Sequence, residues 1–283
     1  MSAEPRRFGV VGDPIQHSLS PVLHRAGYDA LGLHASYHPT RVPAGTLAAH
    51  VAGLDPSWCG LSVTAPLKRE ALDLATRATD RAVIAGGANT LQRAEGPSTG
   101  WIADNTDLPG AIAAIRERYD GPVASGLVLG AGATAASVGL ALIELGATRL
   151  VLAAREPSRA AETVAALGRH PAGAAVEVVE LASYTSDPGA RPAADVVVST
   201  IPAHAQSPEL CAAVTDVPVL FEVLYDPWPT PLAATHPGVV IGGLDLLVHQ
   251  AVLQFQMFTQ MPAPLEAMRS AGRNALAGRR QDA

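Results

Sequence analysis

The sequence is poor in charged residues and has no long apolar run. Asp, Glu, Lys and Arg make up only 16% of the chain, and the formal net charge is -6. Surfaces that bind nucleic acid are basic, so this composition argues against such a partner. No stretch of about 18 apolar residues occurs, and we expect no membrane span. The first residues lack the apolar core and cleavage site of a signal peptide, which predicts a cytoplasmic location.

Cysteine is also scarce. Cys59 and Cys211 lie far apart in the chain and match no metal-binding spacing. We therefore expect two reduced, buried thiols and no metal site. The C-terminal residues 277–283 are polar, and we expect them to fray.

Hydrophobic residues make up 48% of the 283 residues, enough for one large or two medium domains. Apolar runs alternate with helical patterns, which indicates an α/β protein with mostly parallel sheets. The predicted strands are 8–11, 61–64, 127–129, 149–153, 195–200 and 217–223. The predicted helices are 21–31, 68–76, 108–119, 133–145, 157–167 and 244–259.

A domain boundary is expected near residue 106, where one α/β block ends and a fresh strand follows a helical stretch. The long helix after Gly243 lies far from the first block in sequence, yet it could pack back on it. In that case the first domain would be discontinuous.

A glycine-rich turn follows the predicted strand 127–129. Gly130, Gly132 and Ala135 match the spacing G-x-G-x-x-A, with a strand before and a helix after. This arrangement permits a tight turn, close approach of a pyrophosphate and close packing of helix on strand. Amides at the helix start would hold the phosphates. We interpret the turn as a dinucleotide site; the alternative is a structural turn in a helical hairpin.

The end of the next strand predicts which dinucleotide binds. NAD enzymes usually carry an acidic residue there, whereas this chain has Arg155 and, one turn later, Arg159. Two guanidinium groups suit the 2'-phosphate of NADP. Glu156 stands between them, and solvated arginines at a helix start are the alternative.

Polar residues cluster at five further points. They are the serine pair in HSLSP (17–21), Lys68 after LSVTAPL (61–67), the segments GGANT (86–90) and DNTD (104–107), and Gln250 with Gln254 on the long helix. Hydroxyls, amides, a lysine and a carboxylate suit a small polyhydroxylated acid. The structural alternatives are a helix cap at Ser18 or Ser20, a cap at Asp107 and a solvated surface lysine at Lys68.

At these residues the chain resembles the shikimate dehydrogenase family over nearly its whole length. The motifs, in order, are GDPIQHSLSPVLH (12–24), SVTAPLK (62–68), GANT (87–90), DNTDLPG (104–110), YDPWPTPL (225–232) and GLDLLVHQA (243–251). The chain departs from the family at Ser62, where an Asn is usual, and at Ala154, where an Asn precedes the arginine.

The resemblance implies an NADP(H)-linked, reversible reduction of 3-dehydroshikimate to shikimate in aromatic amino-acid biosynthesis. It implies that Lys68 and Asp107 are the catalytic pair. The substrate residues implied are Ser18, Ser20, Thr64, Asn89, Tyr225 and Gln250. The cofactor residues expected from the turn and the resemblance are Gly130, Ala131, Gly132, Ala133, Ala135, Arg155, Arg159, Val223 and Gly243.

The same resemblance implies two domains with the active site in the cleft between them. Residues 1–106 and 242–283 would form a discontinuous α/β substrate domain, and residues 107–241 a Rossmann NADP-binding domain. The family includes monomers and homodimers. The alternatives are a quinate/shikimate dehydrogenase, a paralogue acting on a related hydroxy acid, and a cofactor-binding regulator without catalysis.

Overall fold

The computed structural model describes residues 6–94, 100–187 and 191–281. The strands are β1 Arg6–Gly12, β2 Ala35–Arg41, β3 Trp58–Val63, β4 Arg77–Ala78, β5 Thr90–Arg93, β6 Trp101–Asp104, β7 Ser125–Leu129, β8 Arg149–Ala154, β9 Ala175–Glu180, β10 Val196–Ser199, β11 Val219–Glu222 and β12 Val239–Ile241. The helices are α1 Ser20–Ala30, α2 Leu47–Ala52, α3 Lys68–Leu74, α4 Asp80–Ala85, α5 Asp107–Arg118, α6 Ala133–Glu144, α7 Ala161–Gly168, α8 Leu181–Ser186, α9 Pro208–Ala213, α10 Pro231–Thr235, α11 Gly243–Thr259 and α12 Leu265–Gln281.

The chain divides into two compact units. Unit 1 comprises Met1–Thr106 and Leu247–Ala283, and unit 2 comprises Asp107–Leu246. The second division therefore falls inside α11. The separate functions assigned to the two predicted domains remain predictions.

Unit 2 is built on a six-stranded sheet with the order β12-β11-β10-β7-β8-β9. All five strand pairs are parallel. Strand order reverses between β7 and β10, as in the doubly wound dinucleotide-binding fold, and ligands bind at the carboxyl ends of the strands at that point. Strands β7, β10 and β11 are buried along their whole length, because parallel sheets carry cover on both faces.

Unit 1 contains a mixed sheet with the order β2-β1-β3-β5-β6-β4. The pairs β3–β5 and β5–β6 are antiparallel, and the others are parallel. Helix α11 closes this unit: the ring of Phe258 stacks on Phe8 with ring centroids 5.1 Å apart. A Cβ atom at Gly60 would lie 2.4 Å from the Phe258 ring, so glycine is what lets this helix approach β3. The predicted α/β class with two domains is confirmed.

Three predictions about local structure are wrong. The predicted helix 157–167 is a 3-10 helix over Pro157–Ala160 followed by α7. Residues 277–281, expected to fray, belong to α12, whose apolar side packs on α1; residues 282–283 lie outside the described residues. Cys59 and Cys211 are free but half-buried. Cys59 faces away from the side of β3 that buries Trp58 and Gly60, and Cys211 packs only partly against the core of unit 2.

No helix within the described ranges is long and apolar enough to cross a membrane.

Candidate active site

Lys68 is the only lysine in the chain, since every other Lys or Arg position is arginine. It is the first residue of α3, directly after the turn that follows β3. Only 8% of its surface is exposed, so the interpretation as a solvated surface lysine is wrong. Its carbonyl oxygen accepts a hydrogen bond from Ala88 N at 2.7 Å, which holds the lysine beside the segment that carries Asn89.

Asn89 lies at the centre of a buried polar cluster in unit 1. Its carbonyl oxygen accepts a hydrogen bond from Val63 N at 2.7 Å, so it is joined to the end of β3. Its side-chain oxygen Oδ1 accepts from Thr106 N at 2.8 Å, and its Nδ2 donates to Gln250 Oε1 at 3.2 Å. The structure thus brings together Asn89 and Gln250, which are 161 residues apart in the chain.

Ser18, Ser20 and Thr64 follow the carboxyl ends of β1 and β3. Ser18 Oγ accepts a hydrogen bond from Ser20 N at 3.3 Å. The residue at the N-cap of α1 is Leu19, without a side-chain cap, so the interpretation of either serine as the N-cap is wrong. Thr64 N donates to Val11 O at 3.0 Å, and a Cβ atom at Gly12 would lie 2.4 Å from the Thr64 methyl group. The threonine is therefore packed against the turn that leads to the serine pair.

The segment 104–107 is held by a buried carboxylate. Asp104, 1% exposed, accepts hydrogen bonds from Thr79 Oγ1 at 2.7 Å and from the guanidinium of Arg81. Asn105 Nδ2 donates to Gly87 O at 2.9 Å, which ties this segment to GGANT. Asp107, 7% exposed, is itself the first residue of α5 and of unit 2, so Thr106 rather than Asp107 takes the position of the cap.

The glycine-rich turn of unit 2 has the backbone of a phosphate site. Gly130 has φ +111°, and a Cβ atom there would lie 2.3 Å from Thr200 Oγ1, next to the point where strand order reverses. A Cβ atom at Gly132 would meet nothing within 4 Å, so open space lies in front of it. Helix α6 begins at Ala133, and its N-cap Gly132 provides no side-chain hydrogen bond, as is usual where a helix start binds a phosphate.

Two neighbours stabilise this turn. Ala135 is fully buried, as expected for the position that packs helix on strand. Thr163 Oγ1 on α7 donates to the carbonyl of Ala131 at 2.9 Å. The residues of this turn therefore fit a bound dinucleotide pyrophosphate.

Both predicted phosphate arginines are exposed, and Glu156 pairs with each. Glu156 lies 2.7 Å from Arg159 Nε and 3.7 Å from Arg155 NH2. The side chains of Arg155 and Arg159 are 85% and 72% exposed. A cavity of about 240 Å³ opens beside Arg155 and is also lined by Glu180, Leu181, Thr185 and Ser207. With Glu180, two guanidinium groups and two carboxylates lie at this surface, so the charges of the arginines are balanced.

Val223 and Gly243 are brought into contact in unit 2. A Cβ atom at Gly243 would lie 2.3 Å from Val223 O, so only glycine fits this close approach. Val223 N donates to Ser199 O at 3.0 Å and fixes the start of the loop that carries the half-buried Tyr225.

Sequence reasoning missed Glu222, which anchors that loop. It is fully buried and accepts hydrogen bonds from Leu224 N at 3.1 Å, Gln206 Nε2 at 2.7 Å and Thr230 Oγ1 at 3.0 Å. Burial raises the pKa of this carboxyl, while the hydrogen bonds act in the opposite direction. An acidic residue at the end of the apolar strand VLFE was the available signal.

Sequence reasoning placed Gln254 on the same helix face as Gln250 and interpreted the pair as facing a ligand, but it did not identify the protein groups that Gln254 binds. Gln254 is 1% exposed and bonds to protein groups around Asn89. Its spacing of four residues from Gln250 was the signal.

The chain matches two family profiles. Residues 10–91 match the shikimate dehydrogenase substrate binding domain, and residues 243–271 match the shikimate 5'-dehydrogenase C-terminal domain. Among curated relatives, the NADP(+) shikimate dehydrogenase of Desulfitobacterium hafniense is 32% identical over 280 residues, which cover 96% of this chain and 99% of the relative.

Solved structures give the same result. Shikimate dehydrogenase of Mycobacterium tuberculosis is 42% identical, with a TM-score of 0.82 and coverage of 96% of this chain and 100% of that chain. Shikimate 5-dehydrogenase of Thermus thermophilus, solved in complex with NADP(H) and shikimate, is 28% identical, with a TM-score of 0.80 and coverage of 96% and 100%. The chain belongs to the shikimate dehydrogenase family.

Proposed function

We propose that this protein is an NADP-dependent oxidoreductase that reduces 3-dehydroshikimate reversibly to shikimate, a step of aromatic amino-acid biosynthesis. The observation that best supports the proposal is the burial of Lys68. A chain that uses arginine at every other Lys or Arg position keeps one lysine, buried, at the carboxyl end of a strand. An ammonium can exchange its proton in the accessible pH range, whereas a guanidinium cannot.

In the proposed reaction, the substrate ketone gains a hydride at carbon and a proton at oxygen. Bound NADPH supplies the hydride. The Lys68 ammonium lies beside the ketone oxygen, stabilises the charge that grows there and donates the proton. Asp107 is the second member of the proposed catalytic pair, and in the oxidation direction its carboxylate accepts a hydrogen bond from the substrate hydroxyl. In the oxidation direction the neutral amine of Lys68 takes the hydroxyl proton.

The substrate is held by groups that match its chemistry. Ser18 and Ser20 donate to the carboxylate. Asn89, Gln250 and Thr64 bind ring hydroxyls, and Tyr225 lies close to the ring. The contact between Asn89 and Gln250 and the packing of Thr64 against the serine turn support this assignment.

The cofactor is held by unit 2. The turn from Gly130 to Ala133 binds the pyrophosphate, with Ala135 packing the helix behind it, and its positive φ and open face support this role. Arg155 and Arg159 bind the 2'-phosphate, and their exposure leaves them accessible. Val223 and Gly243 line the nicotinamide pocket.

We assign substrate binding to residues 1–106 and 242–283 and cofactor binding to residues 107–241. The protein acts in the cytoplasm as a monomer or homodimer on a small molecule.

A steady-state assay tests the proposal. Reduced-cofactor absorbance is followed with shikimate and with quinate, each against NADP and NAD. We expect turnover largely confined to shikimate with NADP. Absence of turnover with every pair, in a protein that binds NADPH, would identify a binding module instead.

One observation favours a second candidate, an NAD-linked quinate/shikimate dehydrogenase. Glu156 forms ion pairs with both arginines that are expected to bind the 2'-phosphate. An acidic residue near the end of β8 also suits the ribose hydroxyl of NAD. Efficient turnover of quinate with NAD in the same assay would select this candidate.

A further inference from the structure

Gln254 joins three parts of unit 1 through its amide. It lies on α11, one turn after Gln250, and is 1% exposed. Its Nε2 donates to Asn89 O and to Thr90 Oγ1, both at 2.9 Å, and its Oε1 accepts from Ser62 Oγ at 2.6 Å. These bonds use both hydrogens and the oxygen of the amide, so its orientation is fixed.

Tyr37, Ser62 and Gln254 form a chain of hydrogen bonds in which each hydroxyl donates to the next residue. Tyr37 donates its hydroxyl hydrogen to Ser62 Oγ at 2.5 Å, and Ser62 donates onward to Gln254. Tyr37 is fully buried and stacks on His24, with ring centroids 4.3 Å apart. Burial lowers the pKa of His24 to about 3, so a neutral ring covers the tyrosine. The start of the chain of bonds is therefore immobilised by packing.

The other end of the chain of bonds fixes the Asn89 side chain. Because Thr90 Oγ1 accepts from Gln254, its own hydrogen is directed at Asn89 Oδ1, at 2.9 Å. Thr106 N donates to the same oxygen at 2.8 Å. The oxygen of the Asn89 amide is thus committed to protein donors. Its Nδ2 donates to Thr106 Oγ1 at 2.9 Å and to Gln250 Oε1 at 3.2 Å, so the nitrogen end is also held by protein groups and positions the Gln250 side chain.

We infer that Gln254 is a positioning residue for the substrate site: it fixes the orientation of the Asn89 amide, and with it the Gln250 side chain that Asn89 holds, for binding of the ring hydroxyl. The inference rests on the proposed function for the identity of that hydroxyl. Ser62, which stands where the family usually has Asn, supplies the donor that sets the orientation of Gln254 in this chain.

Two variants test the role of Gln254. Gln254→Met fills the same space without an amide. Gln254→Glu keeps the shape but offers an acceptor to Thr90, which turns the Thr90 hydrogen away from Asn89. Both should raise the KM and the calorimetric Kd for shikimate about tenfold, the range of one lost hydrogen bond, while the KM for NADP stays within about twofold.

Gln92→Met is the matched control. Gln92 also joins β5 to α11, since its Nε2 donates to Met257 O at 2.8 Å, but among the described residues its side chain does not bond to the Asn89 cluster. An unchanged shikimate Kd in the Gln254 variants, or an equal rise in Gln92→Met, would overturn the inference.

A second readout is independent of turnover. The side-chain amide resonances of Asn89, assigned with Asn89→Asp, should shift in Gln254→Glu and stay in place in Gln92→Met. Unchanged resonances in Gln254→Glu would reject the positioning role. A wild type that fails to turn over shikimate would reject the proposed function instead, and the Asn89 resonances would still decide the role of Gln254.

Discussion

Lys68 stands where a lysine is costly for stability. The start of a helix carries a partial positive charge, and burial removes an ammonium from water. Stability does not favour a lysine here, and the chain has no other lysine; the proton transfer proposed for Lys68, which no arginine can perform, would account for its presence.

We therefore expect Lys68→Arg to be nearly as inactive as Lys68→Ala. Both should lower kcat by at least about a hundredfold, because neither side chain can carry the proton, while the KM for shikimate changes far less. Steady-state kinetics in both directions measure this, with the adjacent exposed residue as the control, Arg69→Ala. Wild-type turnover in Lys68→Arg would mean that positive charge alone suffices.

Glu156 is expected to limit selectivity for NADP. If Arg155 and Arg159 bind the 2'-phosphate as proposed, the carboxylate of Glu156 competes with it for them, and exposure to solvent keeps the effect small. Glu156→Gln should raise the ratio of kcat/KM with NADP to kcat/KM with NAD by about three- to tenfold. Glu144→Gln, a comparably exposed carboxylate of unit 2 paired with His170, is the control. A ratio that falls in Glu156→Gln would show that the carboxylate does not oppose phosphate binding.

At the scale of elements, the sequence pattern predicts the central strands of a sheet well and its edge strands poorly. Strands β7, β10 and β11 are continuous apolar runs because both faces of their sheet are covered. The edge strand β2 reads ASYHPTR and was not predicted, since an edge tolerates polar residues and a proline. Strand β2 forms because it pairs with β1, and its own sequence does not indicate this pairing.

The same limit applies to the candidate site. The glycine turn, Lys68 and Asn89 stand out locally because each breaks a pattern next to a strand end. The partners of Gln254 and Glu222 could not be predicted, because they lie 164 and 16 residues away in the chain. Their importance depends on which groups folding brings together.

The loop after β11 supplies a prediction about pH. Burial raises the pKa of Glu222 in the folded protein, so its contribution to stability is complete below the unfolded pKa and is lost as pH rises through the folded one. In Glu222→Gln this dependence should vanish. Unfolding in urea, followed by Trp228 fluorescence after Trp58 and Trp101 are changed to Phe, should show a wild-type advantage that shrinks from pH 4 to pH 8.

Glu209→Gln is the control for this experiment. The Ser207 side chain lowers the pKa of this exposed carboxyl, so its contribution is lost as pH falls and the sign is opposite. A difference between wild type and Glu222→Gln that stays constant with pH would contradict the prediction.

At the scale of the molecule, the two units differ in continuity. Unit 2 is one uninterrupted segment with its own core. The core of unit 1 is complete only with α11 and α12. Phe258 and Phe255 of α11 fill space left by Gly60 and Gly27, and α12 packs on α1.

A chain that ends at Leu246 should therefore keep unit 2 folded and lose unit 1. Hydrogen–deuterium exchange should show protection in β7, β8 and β10 and fast exchange in β1 and β3. Co-expression of residues 247–283 should restore protection to β1 and β3. Protection of β1 and β3 without that segment would contradict the prediction.

The return of the chain through α11 also sets an order of events on the ribosome. The sheet of unit 1 is translated first, yet Phe258 and Met268 emerge only after all of unit 2 has been made. At about 5–20 residues per second, the roughly 160 residues after Thr106 take about 10 to 30 seconds. During that interval the apolar face of β1 and β3 has no permanent cover. The part of the protein that is synthesised first is thus the part that is completed last.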